Sequence, residues 1–89
     1  MQEIRVRAIK ANDDPAIAVS KLAQSIVKAL NTQASVKVVA IGSSAGYIML
    51  KGVAATEGMI TAPDLTLHFD RIVEGNKETT ALYFIVTKQ

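Results

Sequence analysis

Residues 38–58, VVAIGSSAGYIMLKGVAATEG, decide the fold, because an apolar run passes through a glycine-serine turn directly into a second apolar segment that stops at a glycine. Residues 36–41 are β-branched almost throughout, the composition of a strand covered by crossover helices and lying inside a sheet. Residues 42–46 turn the chain. Residues 47–57 then read as a helix in which Ile48, Leu50, Val53, Ala54 and Ala55 leave room for close packing around Gly52, with Gly58 as a C′ residue.

Working outward, residues 3–11 alternate: Ile4, Val6 and Ala8 on one side, Glu3, Arg5 and Arg7 on the other. That is a half-buried strand. In Asn12-Asp13-Asp14-Pro15, Asp14 is an N-cap candidate, and proline suits the first helical position, where its missing N–H costs nothing. Val19, Leu22, Ala23, Ile26, Val27 and Leu30 recur at helical spacing and leave Lys21, Gln24 and Lys28 to water. Asn31-Thr32-Gln33 closes this helix. On the far side of the opening stretch, Ala62-Pro63-Asp64 restarts the chain into residues 65–73, where Leu65, Leu67 and Phe69 alternate with Thr66, His68 and Asp70. Glu74-Gly75-Asn76-Lys77 predicts a tight hairpin with glycine at the first central position. The returning strand, residues 79–87, is apolar on both faces over 81–86, which predicts a central place in the sheet. The order β-α-β-α-β-β predicts a two-layer α/β (α+β) sandwich, with both helices on one face of a mixed four-stranded sheet.

A chain of 89 residues has material for a single core, so residues 1–89 read as one domain. Hydrophobic residues make up 49% and charged residues 20%, with mean hydropathy +0.25. That is more aliphatic surface than a small monomer needs, and it predicts a homo-oligomer. No apolar run approaches the roughly 18 residues of a membrane span, and charges occupy MQEIRVRAIK where a signal peptide is apolar. The expected setting is soluble and cytoplasmic, with no membrane partner. With no cysteine and one histidine, disulfides, thiol catalysis, thiolate metal sites and histidine-cluster metal sites are excluded. The net charge of +2 is unevenly placed. Residues 1–44 hold six basic side chains (Arg5, Arg7, Lys10, Lys21, Lys28, Lys37) against three acidic ones, whereas residues 45–89 hold four against five.

Over nearly the whole length the chain resembles the stage V sporulation protein S family. The resemblance is carried by Ala40-Ile41-Gly42, by KGVAATEG at residues 51–58, and by a closing hairpin in which a charged turn precedes Thr80-Ala81 and an Ile85-Val86 strand. It departs at Ser43-Ser44 and Tyr47, where small Ala/Gly-type residues are expected. The family's fold is similar to that of Alba chromatin proteins and of the C-terminal domain of a bacterial translation initiation factor. The resemblance implies a dimeric, Alba-like nucleic-acid binder, in spore-formers a regulator of sporulation, with no cofactor.

The candidate sites follow from the residues. Gly42, Ser43, Ser44, Ala45 and Gly46 stand at a helix start, where free amides and two hydroxyls suit a phosphate. The stretch lacks the GK[ST] ending of a P-loop and the three-glycine dinucleotide spacing, so its alternative is a tight turn capped by Ser43 or Ser44. Arg5, Arg7, Lys10 and Lys37 come from the first two strands or their ends, and parallel neighbours bring them near one another. They read either as a phosphate-contacting cluster or as an ordinary solvated sheet face and rim. The aromatic residues of the strands read as core, which argues against a base-stacking platform. His68, with Asp70 on its own face, has no nucleophile with a positioned third group and reads as an exposed or interface histidine, not a catalytic one. Asp13 and Asp14 read as helix-start residues, not a metal pair.

Overall fold

The computed structural model describes residues 1–10, 12–60 and 63–88. Ala11, the predicted end of the first strand, and Ala62, in the predicted restart of the chain, lie outside them. The elements are β1 (Gln2–Val6), α1 (Pro15–Leu30), β2 (Ser35–Ile41), α2 (Ser43–Ala55) followed by a 3-10 turn (Thr56–Gly58), β3 (Asp64–Glu74) and β4 (Lys77–Thr87). The sheet order is β1-β2-β4-β3, with β1 parallel to β2 and the other two pairings antiparallel. The expected mixed four-stranded sheet is therefore present, with β2 and β4 internal.

Local chemistry sets most boundaries. Asp14 sits in extended backbone and its Oδ1 accepts the Ala16 N–H at 2.9 Å, so α1 opens at Pro15 with a side-chain cap. Asp13 Oδ2 accepts the Lys10 N–H at 2.8 Å, which closes the turn before the cap. Gly75, at φ +59°, takes the left-handed first position of a two-residue hairpin turn that no residue with a Cβ adopts cheaply.

Alternation in the strands puts Ile4 and Val6 (β1), Val36, Val38 and Ala40 (β2), and Leu82, Phe84 and Val86 (β4) on one side of the sheet. Leu22, Ile26, Ala29 and Leu30 of α1 and Ala45, Ile48, Met49 and Val53 of α2 close over that side. Gly52 permits the helices to approach, because a Cβ there would lie 2.5 Å from Leu22 Cδ2.

Four expectations need correcting. β1 stops at Val6 instead of residue 11: its last pairing is Val6 with Ala40, one residue short of the end of β2 at Ile41. α2 begins at Ser43, four residues earlier than expected, since only Gly42 leaves helical geometry. Gly58 does not cap by a left-handed turn: its φ is not positive, and the chain leaves α2 through the 3-10 turn, where the buried Thr56 hydroxyl donates to the Val53 carbonyl at 2.6 Å. Leu50 is exposed, as are Leu65, Leu67 and Phe69, because the helices lie over β1, β2 and the near side of β4 and leave β3 bare.

Candidate nucleic-acid interface

The face of the sheet turned away from the helices is uncovered, and strand register fixes what stands on it. Its middle row runs Arg5, Val39, Tyr83, His68 from β1 to β3. One neighbouring row is Glu3, Lys37, Ile85, Thr66, and the other holds Ile41, Ala81 and Asp70. Side chains directly opposite on adjacent strands lie about 5 Å apart, close enough to organise one another. The Tyr83 and His68 rings accordingly stack, with centroids 4.8 Å apart and planes within 12°. Lys37 Nζ lies 4.4 Å from the Tyr83 ring centroid, a cation–π contact from the β2 side. Val39 is buried between the flanking Arg5 and Tyr83 positions.

The four predicted cations therefore divide. Arg5 and Lys37 share the uncovered face. Arg7 follows the last residue of β1 and lines a groove of about 860 Å³ beside α1, together with Arg5 and Lys21. The carboxylates on the groove wall, Asp13 and Asp14, already accept backbone N–H groups. Lys10 is exposed in the turn closed by Asp13 and does not line the groove.

Parallel pairing brings the ends of β1 and β2 to the same edge, with Val6 opposite Ala40, so Arg7 and Gly42 both lie there. Gly42 has φ +92°, a left-handed value that requires glycine, and no side chain caps α2. The expected capping by Ser43 or Ser44 is absent, and the first helical bond of α2 is the Gly46 N–H to the Gly42 carbonyl at 2.9 Å. The preceding amides are the unpaired donors of a helix start, with the positive end of the helix dipole behind them. Gly42 and Ser43 are exposed and Ser44 is half-buried. Gly46 is buried within the first helical turn, with Leu82 Cδ1 3.7 Å from where its Cβ would stand, so only the front of the predicted loop faces outward.

Tyr83 is the residue that the sequence reading missed as a surface group. The signal was present: counting back from the two-residue turn at Gly75-Asn76 pairs Tyr83 with His68 directly, and the phase that puts Arg5 and Lys37 outward puts Tyr83 outward too. Among the described residues, no helix is long and apolar enough to cross a membrane. No protein-family model matches the chain, and no curated protein matches it in sequence.

Proposed function

We propose that this chain is a non-enzymatic nucleic-acid-binding protein of the stage V sporulation protein S and Alba-like type. In this reading it is a cytoplasmic homodimer that regulates sporulation or gene expression by contacting phosphate backbone without reading base sequence. The supporting observation is the parallel β1–β2 pair. It turns Arg5 and Lys37 onto the uncovered face and gathers Arg7 and the uncapped α2 start, Gly42, Ser43 and Ser44, at one edge. Phosphates are held by such cations and by helix-start amides, and neither carries sequence information.

The homodimer rests on a second surface. Leu65, Leu67 and Phe69 are 45%, 43% and 67% exposed on the helix side of β3. Tyr47 and Leu50, also exposed, border the same apolar surface across Leu82. A contiguous strip of this kind marks an interaction surface. The competing reading is a small-anion-binding or protein-interaction regulator, which the uncapped start of α2 serves without any nucleic acid.

Titration against duplex DNA and single-stranded RNA at two salt concentrations separates the two. With about three or four phosphates neutralised per subunit, the log–log salt slope for duplex is roughly −3 to −4 per subunit. The double variant Arg5→Ala, Arg7→Ala flattens that slope by about two per subunit. Absence of binding at low salt, or a slope that the double variant leaves in place, rejects the nucleic-acid reading in favour of the regulatory one.

A further inference from the structure

The row Arg5, Val39, Tyr83, His68 asks more of the uncovered face than phosphate contact. Lys37 stands on the β2 side of Tyr83 and His68 on the β3 side, so the small stack is closed at one end by an ammonium group and continues at the other into an exposed imidazole. Two planar rings held parallel above a sheet present a further ring with a ready-made surface, and base–aromatic stacking is indifferent to sequence because every base has a π-face. Arg5 lies at the far end of the same row, three strand spacings or about 14 Å away. The carboxylates nearest this row on the same face, Glu3 and Asp70, fall in the rows to either side, which leaves the middle row to a cation and rings.

Resting on the nucleic-acid reading above, we infer that the uncovered sheet face takes a single-stranded nucleic acid, with one unpaired base stacked on His68 and the adjoining phosphates drawn to Lys37 and Arg5. A duplex keeps its base faces inside its own stack and offers the His68 ring nothing, so the site selects unpaired segments. The imidazole and phenol act as a platform, and no proton transfer or bond change is involved.

The probes are oligothymidylate, an abasic deoxyribose-phosphate oligomer of equal length, and the duplex of the same oligothymidylate with oligodeoxyadenylate, all measured at low salt. The chain has two tyrosines and no tryptophan, so Tyr47→Phe leaves Tyr83 as the lone tyrosine reporter. Oligothymidylate quenches that fluorescence and binds more tightly than either the abasic oligomer or the duplex. Exposed His68 is replaceable without disturbing the core: His68→Ala weakens oligothymidylate binding about five- to 150-fold, to the abasic level, while the salt slope stays. His68→Phe restores the preference. Equal affinity for the intact and abasic oligomers, or a preference that survives His68→Ala, overturns this inference and leaves phosphate binding standing. Failure of every oligomer to bind overturns both.

Discussion

The helix-facing side of the sheet has two halves with the same alternating apolar pattern and opposite fates. On β2, Val36, Val38 and Ala40 lie under α1 and α2 and are at most 1% exposed; on β3, Leu65, Leu67 and Phe69 point the same way and are 43–67% exposed. Alternation specifies which side of a strand is apolar and says nothing of what covers it. Two helices of 16 and 13 residues suffice for β1, β2 and the near side of β4, and β3, at the sheet edge, lies beyond their reach. The contrast therefore divides the molecule into a half covered by its own helices and a half that they leave bare.

The sharpest way to break that contrast is to make one substitution on each side. Leu30→Ala, at a position 2% exposed in the core, lowers unfolding free energy by about 2–5 kcal/mol in denaturant titration. Leu67→Ala, in dilute solution, costs about 0.5 kcal/mol or less. Equal costs would mean that β3 is covered after all.

Next in size is the effect on association. Light scattering at tens of micromolar gives a mass near twice 9.5 kDa for the natural chain. Leu67→Asp with Phe69→Asp weakens the dimer at least ~100-fold, about 2.7 kcal/mol, and leaves the far-UV circular dichroism unchanged. A natural chain of monomer mass ends the dimer proposal outright.

The smallest effects compare the two helix starts. Asp14→Ala removes a formed cap and costs about 1 kcal/mol. Ser43→Ala with Ser44→Ala removes no cap bond and changes stability by less than about 0.5 kcal/mol, whereas phosphate raises Tm above the value in chloride of equal ionic strength. A loss of ~1 kcal/mol at the serines would restore the capping role that the geometry denies them.

Much of the architecture was legible because its signals are local. Pro15 behind Asp14, the β-branched run of β2, and Gly75 in the hairpin turn each act within a few residues. The end of β1 is a matter of pairing between segments distant in sequence: its last pair is Val6 with Ala40, which no feature of residues 7–11 announces. The start of α2 is hidden because Ser43 and Ser44 are residues that serve equally in turns and helix starts. At the candidate site, the cations were found by alternation, but Tyr83 was lost inside an apolar run that a two-layer fold exposes on one face only. Its neighbours in space, Lys37 and His68, are 46 and 15 residues away in the chain.

One feature of the sheet order bears on how the chain is made. β4, an internal strand, is synthesised after the other three, and among the described residues β3 has no sheet neighbour except β4. While residues 77–87 are still unmade, the growing chain can assemble β1, α1, β2 and α2 as a parallel unit whose inner edge lies open. β3 is then an extended, apolar, unpaired segment. Unpaired strand edges and bare apolar surface are what make nascent intermediates adhere to one another. The hairpin turn at Gly75-Asn76 limits the exposure, because β4 begins pairing with β3 as soon as its first residues emerge, and its later residues then close the sheet against β2.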